Sequence, residues 1–188
     1  MNEPSEIRSA YRIKPYYISR HLLVMETAGK EHAALIELII QLALRGPFNL
    51  IAGDEWLPDR DTLYRSVRRY TCAVEETLNR PSLLRPMTCL QLLDLLMEAD
   101  MQNRPTLILD FLHHFHNSDV ELALRDRTLE QCCQHLKHLS FSHSVVVRVL
   151  RRHTEEYRRF FPILASVADE LILVEEDSIT EDTQGLLF

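Results

Sequence analysis

Apolar runs of four to eight residues alternate along this chain with segments of helical spacing, which is the pattern of a parallel sheet covered by helices. The first run, Ile18–Met25, predicts a strand, and the turn Glu26-Thr27-Ala28-Gly29-Lys30 leads into a helix from about Glu31 to Leu44. That helix should stop at Arg45-Gly46-Pro47, since glycine closes a helix and proline cannot continue one. Phe48–Ala52 predicts a second strand, followed by Gly53-Asp54-Glu55. After Pro58-Asp59 a helix over Arg60–Tyr70 carries Leu63 and Val67 on one face. Ser82–Leu84, between Pro81 and Pro86, is a short strand candidate, and Thr88 is placed to cap a helix over Cys89–Glu98.

The second half repeats the pattern. Thr106–Phe111 predicts a buried strand with Asp110 at its end, and Asp119 is a candidate cap for a long helix from Val120 to about Leu139. Ser144–Leu150 predicts the next strand. Thr154, with Glu155 and Glu156 in the first turn, starts a helix to about Ala168 that Pro162 should kink or split. Leu171–Val174 predicts the last strand, before a polar tail. The fold class is α/β. The expected organisation is an N-terminal extension over 1–17, a core domain over 18–176 and a flexible acidic tail over 177–188.

Composition narrows the function classes only slightly. A chain of 188 residues suits one domain with a real core. Its net charge of −7 is concentrated at one end, because seven of the 28 acids fall between Asp169 and the last residue, where there is no base. Residues 1–168 carry 21 acids against 21 bases, a neutral body that neither demands nor excludes nucleic acid. No apolar run approaches the roughly 20 residues that span a bilayer, so no membrane association is expected. The polar, acidic start Met-Asn-Glu-Pro-Ser-Glu does not resemble a signal peptide, and the four cysteines show no framework spacing. A cytoplasmic protein with reduced thiols is the expectation.

The candidate chemistry starts at Val24-Met25-Glu26-Thr27-Ala28-Gly29-Lys30-Glu31, between a strand and a helix. A phosphate-binding loop there reads G-x-x-x-x-G-K-[ST]; its backbone N–H groups wrap phosphates, its lysine reaches the β and γ phosphates, and its hydroxyl ligates Mg²⁺. Only Gly29 and Lys30 match, with Val24 at the first glycine position and Glu31 at the hydroxyl position. An ordinary turn would read the same way. Thr106-Leu-Ile-Leu-Asp110 has the form of a mostly apolar strand and then an acid, as in the strand that holds the Mg²⁺ shell of a nucleoside triphosphatase.

Taken in order, these stretches resemble the RecA-type recombinase core. Phe48 through Leu63, with Glu55 after the strand and an arginine-bearing helix beyond, is similar to the segment after the P-loop helix of that family. Val74-Glu-Glu-Thr-Leu78 through Thr88 and Gln91 is similar to its next strand and helix. Leu107–Asp110 then falls at the Walker B position, and Val145–Val149 at the strand that carries the phosphate sensor. The resemblance covers about residues 18–175 and implies a RecA-like, mostly parallel sheet with helices on both faces. It also implies that Lys30 matches the P-loop lysine, Glu55 the catalytic glutamate and Asp110 the Walker B acid. The departures are Glu31 in place of the hydroxyl and Arg148-Val149 in place of a Gln or Asn sensor. Phosphoryl transfer depends on positioning and charge stabilisation, so these losses should cripple turnover. The ATP site Gly29, Lys30, Glu31, Asp110, with Glu55, is therefore expected to be vestigial, and no bound cofactor is expected.

Other clusters invite alternatives. His113, His114 and His116 with Asp119 form a dense imidazole group, but their spacing matches no standard zinc pattern, so no metal is expected. Cys132 and Cys133 share a helical face with Leu129, Leu136 and Leu139, as small buried hydrophobes would. Arg65, Arg68 and Arg69 could contact DNA phosphates, as could Arg151, Arg152, Arg158 and Arg159, while a salt-bridged solvent face is the plainer expectation. Gln184-Gly185-Leu186-Leu187-Phe188 resembles the bacterial sliding-clamp-binding peptide; Gln184 would bond the pocket rim while Leu187 and Phe188 fill the cleft.

Together these point to a non-catalytic RecA-like accessory protein of DNA repair, recombination or damage tolerance, of the ImuA-like or recombinase-paralogue type. It would act through protein partners such as a sliding clamp, a translesion polymerase or a RecA-family protein. The alternative is a weak nucleotide-binding or ATPase module of the RecA and KaiC type, with Lys30, Glu55 and Asp110 still at work.

Overall fold

The computed structural model describes residues 21–29, 32–53, 58–98, 101, 104–116 and 120–174. The 1–17 extension, Lys30, Glu31, Glu55, Asp119, the 177–188 tail and its Gln184, Leu187 and Phe188 lie outside the described residues. Six strands, β1 (Leu22–Thr27), β2 (Phe48–Ala52), β3 (Pro81–Leu84), β4 (Thr106–Leu109), β5 (Val145–Leu150) and β6 (Glu170–Val174), form one sheet in the order β3-β2-β4-β5-β1-β6. Every pairing is parallel, with Leu22 opposite Val145 and Leu50 opposite Leu107 in register. A six-stranded parallel sheet flanked by helices is an α/β fold consistent with the RecA-like class.

Parallel strands are buried on both faces, so they read as continuous apolar runs whose side chains alternate between two cores. On one face Leu22, Val24, Ile51, Ile108, Val145 and Val147 pack under α4 (Cys89–Met97), α5 (Leu122–Ser140) and α6 (Glu155–Val167). On the other, Leu23, Met25, Leu50, Leu107 and Val146 pack under α1 (His32–Arg45). A satellite of Ile40, Val67 and Val74 joins α1 to α2 (Arg60–Val67) and α3 (Val74–Leu78).

Side-chain caps form at three helices, the one at Thr88 as expected. Asp59 accepts from the Thr62 N–H at 2.8 Å, Thr88 from Gln91 N–H at 3.2 Å, and Thr154 from Tyr157 N–H at 3.2 Å. Gly46 ends α1 at φ +152°, a conformation closed to most side chains. Residues 74–78, ahead of the short strand β3, form α3 with Glu75 and Glu76 in its first turn. Two expectations are corrected. Glu121, with no side-chain capping bond, is the N-cap of α5. Pro162 lies inside an unbroken α6; it is exposed, and the buried Tyr157, Phe160 and Leu164 hold the helix to the sheet on either side of it.

Candidate functional site at the carboxyl ends of the strands

In open parallel α/β sheets ligands settle outside the carboxyl ends of the strands, and of the candidate residues Gly29 and Asp110 lie there. β5 lies between β1, which leads to Gly29, and β4, which leads to Asp110. The insertion decides the chemistry, because the end of β5 sends two arginines toward β1 and one toward the end of β4.

Arg148, on the α1 side of β5, donates from Nη2 to the Gly29 carbonyl at 3.0 Å. Arg151, just past the strand, donates from Nε to Glu26 Oε1 at 2.8 Å and from Nη2 to Oε2 at 3.3 Å. Arg152 donates from Nη2 to Asp110 Oδ2 at 2.9 Å. The Arg151 backbone N–H also bonds to the Thr27 carbonyl at 2.8 Å, which pins the arginine turn to the end of β1.

Glu26 shares the face of Leu22 and Val24 and is 6% exposed. A carboxylate buried among aliphatic side chains requires partners. Besides Arg151 it accepts a short hydrogen bond from the Tyr157 hydroxyl in the first turn of α6. Burial first, and then this bond to Glu26, hold the Tyr157 phenol well above its ordinary ionisation range. Asp110 is 5% exposed and adopts the left-handed conformation at φ +49°. Among non-glycine residues that region favours Asp and Asn, so the residue type suits the sharp exit from β4.

The chain after Asp110 forms a 3-10 turn, Phe111–Phe115, instead of the expected continuation of the strand through Phe111. Phe111 and Phe115 turn into the core with ring centroids 5.3 Å apart. His114 is 3% exposed, and a Cβ on Gly53 would meet His113 and His114 carbons at 3.4 Å, so glycine lets the imidazole pair close over the end of β2. Burial, and then the Arg152 cation, depress the His116 pKa below its ordinary value, while Glu156 and Asp110 pull the other way. Among the described residues no group of three or more His, Cys, Asp or Glu is placed to hold a metal ion.

The fold thus brings Gly29 and Asp110 to the carboxyl ends of β1 and β4, on either side of β5. Reading the sequence missed Glu26 and Tyr157 as members of this site, and it named Arg148 only as a departure at the sensor position. It treated Arg151 and Arg152 as surface charges, whereas both are ion-paired into it. The available signal was Glu26 itself, an acid beside an apolar strand, with two consecutive arginines after another strand. Arg159 follows the salt-bridged expectation, pairing through Nε with Asp126 at 2.9 Å. Cys132 and Cys133 are buried thiols, as their helical face suggests; burial raises both pKa values, that of Cys133 to about 12. No described helix is long and apolar enough to cross a membrane. No protein-family model matches this chain, and no curated protein matches it.

Proposed function

We propose that this chain is a non-catalytic RecA-like accessory protein of DNA repair or damage tolerance that works through protein contacts. The Asp110–Arg152 ion pair at 2.9 Å is the observation that supports it. In a working ATPase the acid at the end of this strand holds the Mg²⁺ shell. Here an internal guanidinium takes the carboxylate, and a second one, Arg151, takes the buried Glu26. Recruiting Mg²⁺ to Asp110 would break a pair that the fold has already made.

The test has two parts. The intact protein is titrated against a bacterial sliding clamp beside a version lacking Gln184–Phe188, and its ATP turnover is measured. Binding that disappears with the five residues supports the proposed partner; no binding in either version removes the clamp. Turnover at ordinary ATPase rates would refute the non-catalytic reading.

One observation favours the second reading, weak nucleotide binding. The Arg148 guanidinium beside Gly29 places a positive charge where a phosphate would approach this turn. A Mg-ATP titration whose heat vanishes in Lys30→Ala would support that reading, and a flat titration with no thermal shift would sink it.

A further inference from the structure

A second charged surface lies away from the carboxyl ends of the strands, on α2. The helical path continues past Val67, since Arg68 N–H bonds to the Tyr64 carbonyl at 3.0 Å and Tyr70 N–H to the Val67 carbonyl at 2.9 Å. Val67, 1% exposed, fixes the inward face against Ile40 and Val74. The opposite face therefore carries Arg65, Arg68 and Arg69, all exposed. Tyr64 and Tyr70 flank them with 37% and 51% of their surfaces in solvent.

Two of the neighbouring acids are engaged in ion pairs, and two more are bonded by neutral donors. Glu75 pairs with Arg60 at 2.7 Å and Glu76 with Arg80 at 2.7 Å. Asp59 accepts the two capping bonds from Thr62, and Glu37 accepts from the Tyr70 hydroxyl at 2.9 and 3.1 Å. Among the described residues none of Arg65, Arg68 and Arg69 forms an ion pair; Arg65 bonds only the Asp61 carbonyl, at 3.3 Å. Two exposed carboxylates, Asp61 and the N-cap Asp59 whose charge reaches Arg65, stand beside the three guanidinium groups. Glu37 meanwhile anchors the Tyr70 hydroxyl and leaves the ring half exposed, an aromatic surface with little rotational freedom left to lose.

Exposed arginines without an ion pair fit phosphates, and exposed rings fit unpaired bases, which every single strand presents and a duplex hides. We propose that the outward face of α2 and its following turn, Tyr64, Arg65, Arg68, Arg69 and Tyr70, binds single-stranded nucleic acid, with arginines on phosphates and tyrosine rings against bases. The inference is independent of the proposed accessory role, because it uses neither Asp110 nor the tail.

The test is fluorescence anisotropy of an end-labelled oligo-dT of about 20 nucleotides titrated with the full chain, with oligo-rU run in parallel, over ~50 to ~200 mM salt. Three phosphate contacts on a single strand give a log–log salt slope of about −2, or a roughly twentyfold loss of affinity over that range. The triple change Arg65→Ala, Arg68→Ala, Arg69→Ala should flatten the slope. Tyr64→Ala should weaken binding roughly tenfold and leave the slope unchanged, because stacking is uncharged. Should the triple variant lose its fold by circular dichroism, the single exposed change Arg68→Glu repeats the test.

Binding of either oligonucleotide with these responses supports the face, and the tighter of the two identifies the source. An unchanged slope in the arginine variants, or no anisotropy rise at the lowest salt, overturns it. Equal competition by duplex DNA overturns the stacking, and equal competition by polyglutamate overturns nucleic acid in favour of an acidic protein.

Discussion

Replacing Asp110 with asparagine separates an acid held by the protein's own arginine from an acid kept for an external cation. Asn tolerates the left-handed backbone at φ +49°, so the change removes charge without adding strain. Removing one partner of a fully buried pair costs about 3–5 kcal/mol, since the other charge is stranded. Arg152 keeps 27% of its side chain in solvent, so water recovers part of that loss. About 2 kcal/mol remains, within the range of a hydrogen bond to a charged group. With a urea slope of about 2 kcal/mol per molar, the unfolding midpoint followed by far-ultraviolet circular dichroism should fall by about 1 M. Arg152→Met should lose a similar amount, and the double variant should lose less than the two together, because neither charge is then stranded. An acid awaiting a cation behaves in the opposite way, since neutralising an unpaired buried carboxylate stabilises the fold. A midpoint that stays put or rises in Asp110→Asn refutes the ion-pair reasoning, and with it the observation behind the non-catalytic role.

Tyr157→Phe removes one of the three hydrogen bonds that Arg151 and Tyr157 donate to Glu26 and leaves Arg151 in place, so a loss of about 1.5 kcal/mol in the same urea assay is expected. Because the folded phenol ionises above its ordinary value, its contribution is complete below about pH 10 and is lost as pH rises through the folded value. The gap between wild type and Tyr157→Phe should therefore close in alkali, and a constant gap would refute the bond. Of the four cysteines only Cys72 is exposed, so an aromatic disulfide reagent at mildly alkaline pH should titrate one thiol in the native protein and all four in denaturant. A second fast thiol would contradict the burial of Cys89, Cys132 and Cys133.

The strands were legible because burial on both faces writes long apolar runs, and Phe48–Ala52 matches its expected limits. Asp110 was legible for the same reason, as an acid ending such a run. Its partner was not. That Arg152 meets Asp110 follows from β5 lying beside β4, a matter of strand order that local pattern does not carry. Glu26 was hidden by a boundary: the first strand was expected over Ile18–Met25 but runs over Leu22–Thr27, and the shift turns a loop acid into a buried one. The tyrosines beside the α2 arginines were not read as surface groups, because their exposure depends on which face Val67 presents to the core. Pro162 shows packing overriding propensity, since the apolar stripe of α6 runs across it.

The position of β1 in the sheet also sets the order in which the chain can become a protein. Its two neighbours are β5 and β6, which begin at Val145 and Glu170. β1 thus has no lateral partner until Val145 and the residues after it have been made. Loop closure over such a span is slow, and at ~5–20 residues per second the wait lasts on the order of ten seconds or more. Through that interval α1 can cover Leu23 and Met25, while Leu22, Val24 and both ladder edges of the strand stay open, the kind of surface on which chains aggregate. A chain stalled before Val145 therefore carries an adhesive strand covered on one face alone.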